Sequence, residues 1–397
     1  MIDADVVIVG GGPGGLSAAE AAARRGAHVV LLEQHAEIGS PTRTSGGSFI
    51  SDLRDLEIPS HLYHPLKRMR FIAPHETATF CYDDPVACVI DVRGLFQYLA
   101  ERAISAGAKL RVSTTFLDVV HDDGKVAGVR AKDLRGQDLT VRCKVVVDAT
   151  GYRAALSKKT GLAPDFQRFG VGAEYDLHAP ACSQEEAVLL VGTRVAPAGY
   201  AWVFPWGRHR VRVGVGIVHA DSRENPADYL HRLLDESARY GIDLTGAEPI
   251  EYHTGLIPSD GLRDAFVADG LMAVGDAAGQ SSALVGEGIR WAIKAGRMAG
   301  EIAAEAIRRD DCSRAFLTTY ERRWTARHGL NLFLAHEINK EITRWSDQAW
   351  DEGTRLLAGM TPEQFGQALQ SDFFGGSIAQ MLPSPLRFLR RDVTHVV

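Results

Sequence analysis

Cysteine is scarce in this sequence: Cys81, Cys88, Cys143, Cys182 and Cys312 are scattered over 397 positions. They form no CxxC pair and no Cys/His ligand spacing, so nothing argues for a metal, and an odd, dispersed set does not make a disulfide framework. The expected state is that of small buried hydrophobes in a reducing compartment. Excess positive charge is missing too. The formal net charge is -6, which gives no global electrostatic case for nucleic acid. No apolar run reaches the roughly 18 residues of a membrane span, and "MIDADVVIVGG" opens acidic, without the basic start of a secretory signal. These absences lead to the expectation of a soluble cytoplasmic protein. Internal repeats and low-complexity segments are also lacking.

What is present is ordinary globular composition, 45% hydrophobic and 24% charged, with length for two or three domains. "DVVIV" at residues 5–9 is a continuous apolar run of the kind buried in a parallel sheet. "GGGPGG" follows, then an Ala/Glu-rich stretch closed by Gly26, then "AHVVLLE". Strand, glycine turn, helix and strand make one βαβ unit. The spacing predicts a helix over 93–107, then strands at "AKLRVST", "FLDVVHDDGKVAGVRAKD" and "DLTVRCKVVVDATG". Alternation dominates from about 170 to 258, broken by a helix at 227–240. "GLMAVGDAAG" returns to the buried style and leads into a helix over 286–308, with more helices beyond 313.

The pattern reads as α/β, α+β overall. A Rossmann-type nucleotide domain at 1–70, 91–169 and 265–310 is interrupted by an antiparallel β-rich substrate domain at 71–90 and 170–264. A helical region follows at 311–397.

Gly10, Gly12 and Gly15 form GxGxxG, and Glu33 ends the second strand. Gly10 makes the tight turn, Gly12 lets a pyrophosphate approach, and Gly15 lets helix and strand pack closely; Glu33 suits a ribose hydroxyl. Asp276, delivered by a strand ahead of a helix, suits the ribityl hydroxyls of a flavin, so FAD is the dinucleotide expected. It could instead be a helix cap. Asp148 with Gly151 in "DATG", and Arg93 after "VIDV", are bland alone. Within a flavin fold they become supports of phosphate and ring.

The order and spacing of "GGGPGGLSAA", "EIGSPTRTSGG", "DATG", "PAGYAWVFPWG" and "GDAAGQSSALVGEGI" resembles the geranylgeranyl reductase family of FAD-dependent oxidoreductases. That family sits in the para-hydroxybenzoate hydroxylase-like superfamily, beside aromatic hydroxylases and flavin-dependent halogenases. The likeness covers residues 1 to about 310. It implies FAD as hydride carrier and saturation of C=C bonds in long isoprenoid chains. It also implies cofactor contacts from Gly10, Gly12, Pro13, Gly14, Gly15, Glu33, Gln34, Arg43, Thr44, Arg93, Asp148, Gly151, Gly275, Asp276, Gly286, Gly288 and Ile289.

In such a fold the alternating rings of "YAWVFPW" lie across the flavin, so Tyr200, Trp202, Phe204, Pro205 and Trp206 would line a greasy tunnel for substrate. About half the rings are expected in the core and half in the cavity, with Pro205 closing the strand. Reduction needs a hydride on one carbon and a proton on the other. Tyr200 and Glu287 are candidate donors, though a carboxylate at a helix start is favourable there in any case. Trp202 and Thr44 complete the candidate catalytic set. Many of these reductases carry Cys-Gly-Glu-Gly after SPxR; here Thr44, Ser45, Gly46 and Gly47 stand in that place. A hydroxyl replaces neither the acidity nor the redox chemistry of a thiol.

Two other readings stay open: a flavin monooxygenase or oxidase on a natural product, and a non-catalytic flavin-bearing lipid or redox-sensing protein. The halogenase segment Trp-x-Trp-x-Ile-Pro and a second GxGxxG are absent, so the electron donor is NAD(P)H, a ferredoxin or free reduced flavin. The tail carries Leu386, Phe388 and Leu389 beside Arg387, Arg390 and Arg391. It either rests on an anionic membrane as a peripheral contact or packs on its own domain.

Overall fold

The computed structural model describes residues 2–373; the tail at 386–391 lies outside the described residues. The apolar runs Val6–Val9, Val29–Leu32, Val145–Asp148 and Leu271–Ala273 are strands buried along their whole length. With Lys109–Arg111 and Val267–Ala268 they form a six-stranded sheet in the order 267–268, 271–273, 145–148, 6–9, 29–32, 109–111. All neighbours run parallel except the 267–268 edge.

Helices Pro13–Arg24, Val92–Ser105 and Ile289–Arg309 cover one face through Leu16, Leu95, Leu99, Ile293 and Ile302. Two glycines set how closely the first and last of these approach. A Cβ on Gly296 would lie 2.1 Å from the Gly14 carbonyl oxygen, and one on Gly300 2.3 Å from that of Ala18. The 289–309 helix starts three residues later than the spacing suggested, because Gly286 adopts φ +63° in the preceding loop. A four-stranded sheet of Ile2–Asp3, Asp138–Arg142, Lys125–Lys132 and Thr115–Asp122 packs on the other face through Val126, Val129 and Val141. The run expected as one strand from Asp138 therefore divides. Lys144 and Val145 both donate to the Asp5 carbonyl, stepping the chain from the small sheet into the parallel one.

The third sheet has seven strands: Glu248–Pro258, Phe169–His178, Arg210–His219, Gly199–Gly207, Glu186–Leu190, Arg68–Ile72 and Thr77–Cys81. One pair, 186–190 with 68–72, runs parallel in this otherwise antiparallel sheet. Period-two alternation sorts its faces. Ala201, Val203, Val211, Val213 and Val215 meet Leu230 and Leu233 of the helix Pro226–Asp235. Tyr200, Trp202, Phe204 and Trp206 share the opposite face.

Over that face stand the last two of the C-terminal helices, through Trp350, Leu357, Phe365 and Leu369, while the first packs on the parallel-sheet domain through Leu317, Tyr320 and Trp324. Ser313, Ser346 and Thr361 cap Arg314–Trp324, Asp347–Leu357 and Pro362–Leu369, while Leu330–Ile342 continues from the first through a wide turn at Thr325–Gly329. Phe365 stacks on Phe80 with centroids 3.9 Å apart and pins the last helix to the sheet. Among the described residues no helix is long and apolar enough to cross a membrane. All five cysteines are unpaired; Cys88 and Cys182 are buried as expected, whereas Cys81 alternates outward and is exposed.

Candidate active site

The carboxyl ends of the parallel strands open into a cavity of about 800 Å³, reached by Val9, Leu32, Ala149 and Val274. This is the crevice where open α/β sheets bind ligands. Gly10 turns with φ +114°, and a Cβ there would sit 2.1 Å from the Ala149 carbonyl oxygen. Gly15 faces the same constraint from the Gly10 oxygen, also 2.1 Å away, and so serves packing rather than lining. Beside Gly12 the space is open, with nothing within 4 Å of a Cβ. The helix that starts at Pro13 has no side-chain cap and no acid in its first turn. Its first amides, with Gly14, therefore face the cavity unopposed, which suits a pyrophosphate. Glu33 accepts from the Gly11 amide at 2.7 Å and the His35 amide at 2.8 Å, placing its carboxylate at the rim beside Gln34.

Across the cavity Gly275 turns with φ +63° and accepts support from Gln280, whose Oε1 takes its amide at 2.8 Å. Asp276 lines the wall next to Gly288, and its carboxylate has no hydrogen-bond partner among the described residues. Burial alone pushes its pKa up to about 6. An orphaned carboxylate at this depth suits ligand hydroxyls. Gly151, Gly286 and Ile289 line the same wall.

Glu287 lines it too, but its oxygens are engaged: Arg290 donates through Nε at 2.7 Å and through its amide at 3.3 Å. Arg290 also binds Asp52 at 3.0 Å, and Lys294 joins Asp52 at 2.5 Å. Burial raises the Glu287 pKa and the Arg290 charge opposes it. This candidate donor is thus the anchor of a buried ion cluster. Tyr200 is likewise occupied, donating to the Val285 carbonyl at 2.5 Å, with burial raising its pKa.

Arg43 and Thr44 line the cavity on the loop that follows the cis Ser40–Pro41 bond. Arg212 holds this loop down, donating through Nη1 to the Ser45 carbonyl at 2.7 Å and the Ile90 carbonyl at 3.0 Å. The loop also corrects the aromatic assignment. Tyr200 and Trp202 line the cavity; Phe204, Pro205 and Trp206 do not. A Cβ on Gly47 would lie 2.9 Å from Phe204, so the short strand that the loop enters covers that ring. Trp206 carries the Arg210 and Arg212 guanidinium groups over its face, 4.8 and 4.6 Å from the ring centre. Pro205 turns to the other face, and the strand runs past it to Gly207 through an irregularity. Core and cavity divide along the strand, at Phe204.

Two supports also fall outside the lining. Asp148 is fully buried, accepting from Thr150 and Ser157 hydroxyls at 2.6 and 2.7 Å and from both their amides. It shapes the "DATG" turn. Arg93 is exposed and bound to Glu37, 2.7 Å from Nε.

The sequence reading missed two groups. Trp350, Leu357, Met360, Phe365 and Leu369 from the C-terminal helices, with Phe71, make an apolar end to the cavity. They fall in the region expected only to be helical, with no motif among them. Glu174 and His253 also line the wall: Glu174 Oε2 accepts from Trp202 Nε1 at 2.6 Å, and Oε1 lies 3.1 Å from His253 Nδ1. A carboxylate at an inward position of an alternating strand was the available signal.

A parallel sheet covered on both faces, with an open glycine turn, an orphan acid opposite and a sheet-roofed apolar annex, defines an FAD-dependent oxidoreductase. Residues 5–171 match the family described as FAD dependent oxidoreductase, and residues 171–256 match the geranylgeranyl reductase catalytic domain. The chain is 34% identical over 364 residues to digeranylgeranylglycerophospholipid reductase 2 of Methanothermobacter thermautotrophicus, covering 89% of this chain and 92% of that protein. It is 33% identical to the Methanocaldococcus jannaschii reductase of the same kind, over 87% of this chain and 88% of that one. Among solved structures, a geranylgeranyl bacteriochlorophyll reductase-like protein from Thermoplasma acidophilum superposes with a TM-score of 0.89 at 26% identity, over 98% and 99% of the two chains. A flavin-dependent brominase shares the fold alone, with a TM-score of 0.69 at 22% identity, over 92% and 98% of the two chains. The chain belongs to the geranylgeranyl reductase family of FAD-dependent enzymes.

Proposed function

We propose that this enzyme saturates C=C bonds of a polyprenyl lipid, of the digeranylgeranylglycerophospholipid class on which its relatives are named to act. The observation that carries the reading is the join within one cavity of a polar glycine-turn end and an apolar end walled by Phe71, Trp202, Leu357, Met360, Phe365 and Leu369. An isoprenoid chain has few polar handles, and such a wall matches it.

The residues present fit FAD. In this proposal Gly12, Pro13 and Gly14 present the helix amides to its pyrophosphate, Glu33 and Gln34 hold its adenosine ribose, and Asp276 takes its ribityl hydroxyls. Gly275, Gly286, Gly288 and Ile289, with Arg43, Thr44 and Gly151, border the ring. Bound FAD, once reduced, supplies the hydride. Tyr200 keeps the Gly286 loop in place through Val285, and Trp202 positions the chain from above. The C-terminal helices exclude water from the alkene. Electrons enter from NAD(P)H, a ferredoxin or free reduced flavin. The enzyme works in the cytoplasm and meets its lipid at a membrane surface.

The test is anaerobic. Holoenzyme reduced with dithionite is mixed with a geranylgeranylated glycerophospholipid, and the oxidised-flavin absorbance and product mass are followed. Recovery of absorbance with a gain of two hydrogens per bond supports the proposal. Recovery that waits for oxygen overturns it.

A further inference from the structure

The proposed reduction needs one proton per bond; Asp276 is assigned to the cofactor's ribityl hydroxyls, and the other candidate acids of the cavity are engaged. Tyr200 gives its proton to the Val285 carbonyl, Glu287 is bound by Arg290, and Thr44 carries only a weakly acidic hydroxyl. A different set of groups runs from solvent to the cavity along one row of the seven-stranded sheet. His253 pairs directly with Glu174 across two strands, Glu174 pairs with Gly214, and Gly214 pairs with Trp202. Because Gly214 has no side chain, the Trp202 indole lies over it, and its N–H reaches Glu174 at 2.6 Å. Glu174 in turn is 3.1 Å from His253 Nδ1, and His253 Nε2 is 2.7 Å from Glu251 Oε2. Glu174 and His253 are buried at 4% and 6% exposure and line the cavity, whereas half of the Glu251 side chain is open to solvent. A buried pair serving only stability has no need of one end in water and the other in a substrate cavity.

We propose that Glu251, His253 and Glu174 form the proton supply of the reaction, passing solvent protons to the cavity beneath Trp202. This rests on the reductase reading above. His253, protonated on both nitrogens, passes its Nδ1 proton to Glu174 Oε1 and is left neutral with a proton on Nε2. Once that proton has returned to Nδ1 by tautomerisation, Nε2 takes a solvent proton through Glu251 and the imidazolium is restored. The Glu174 O–H bond then breaks as a C–H bond forms on one alkene carbon, its electron pair staying on the carboxylate. The other carbon receives hydride from reduced FAD. Two electrons and two protons are added in total, and Glu174 is reprotonated from His253.

The charged surroundings favour a loaded histidine. Burial disfavours the imidazolium, but Glu174 and Glu251 on either side outweigh it and raise the pKa. Arg210 and Arg212 act on Glu251 from the strand one beyond its neighbour, with Asp176, on the strand between, paired to both. Tyr200 also feels the Glu174 charge, which adds to the burial that raises its pKa.

Two measurements test this. The first is a single turnover of reduced holoenzyme with the polyprenyl lipid without oxygen, at pH 6–9, in H2O and D2O. His253→Gln and Glu174→Gln should slow alkene-dependent oxidation by roughly a hundredfold, the usual scale of a positioned proton donor. The wild-type fall in rate at high pH should disappear, while FAD binding and reduction by dithionite stay unchanged. Glu251→Gln, at the surface and safe for folding, should keep the pH limb but enlarge the D2O effect. A His253→Gln rate within twofold of wild type, with the same pH limb, overturns the proposal. The second measurement is NMR of the holoenzyme without substrate. The Trp202 indole proton should shift with the His253 titration, above the ordinary histidine range, and uncouple in Glu174→Gln. Absence of that coupling in the wild type overturns the relay on any substrate. Coupling with no alkene turnover refutes the isoprenoid reading and leaves the relay standing.

Discussion

The glycines beneath Trp202 allow a graded perturbation. A Cβ built on Gly214 would fall 2.3 Å from Cζ2, 2.5 Å from Cε2 and 2.8 Å from Nε1 of the indole. On Gly216 it would fall 3.3 Å from Cζ3, and on Gly172 3.9 Å from Cη2. Carbon atoms rest at about 3.5–4.0 Å. Gly214→Ala therefore forces the ring more than about 1 Å off the sheet, into the cavity, whereas Gly172→Ala forces nothing. The displaced ring stretches its 2.6 Å bond to Glu174 beyond hydrogen-bonding range.

A hydrogen bond to a charged group is worth about 1.5–3 kcal/mol, and overpacking adds about 1–3 kcal/mol. Replacing a strand glycine returns about 0.5–1 kcal/mol. The net expectation for Gly214→Ala is a loss of about 2–5 kcal/mol. Gly216→Ala should lose about 1 kcal/mol or less, and Gly172→Ala should be neutral or slightly stabilising. Thermal unfolding of the three holoenzyme variants, followed by tryptophan emission, measures this order. Lipid KM should rise most for Gly214→Ala, since the ring now fills substrate space. Equal melting temperatures for Gly214→Ala and Gly172→Ala would refute the reasoning, because the close approach to Trp202, 2.3 Å against 3.9 Å, is the difference it relies on.

Asp276→Asn should weaken FAD binding tenfold or more in a fluorescence titration, since the orphan acid is the partner assigned to the ribityl hydroxyls. In FAD-free protein its effect on stability has the opposite sign. Burial raises this pKa from 3.8 to about 6, so the native state holds the extra proton and stability falls as pH rises through that window. Asparagine should abolish that fall, worth about 2 kcal/mol at pH 7, in melts compared at pH 4.5 and 7. Thr44→Cys should fold normally and react with iodoacetamide, with FAD protecting it; site-resolved mass spectrometry separates it from exposed Cys81. Labelling unaffected by FAD would remove this loop from the cofactor's border. Glu287→Gln should lower stability by about 2–4 kcal/mol by unbalancing the buried Arg290 cluster. It should leave the single-turnover rate within threefold, and a hundredfold slower rate at intact stability would restore Glu287 as an acid.

The parts of the site legible in the sequence are those built by contiguous residues. Gly10, Gly12 and Gly15 reveal their constraint locally, since turn, open space and helix packing all fall within six positions. The rings of "YAWVFPW" announce a strand with one favoured face, and that face is the cavity side. Period-two spacing says nothing about position along a strand, though. What separates Trp202 from Phe204 is the short strand that starts at Gly47, more than 150 residues earlier in the chain, entered from a loop that Arg212 holds at Ser45. The same limit hid the Glu174 row. Glu174 and His253 are 79 residues apart and meet only through the register of their strands. Gly214, in "VRVGVGIV", looks like weak strand propensity until the Trp202 indole is seen lying on it. An inward carboxylate in one alternating strand and an inward glycine in another are each unremarkable. Together, in register, they make room for an indole N–H to reach a buried acid, and that coincidence belongs to the sheet rather than to any segment of it.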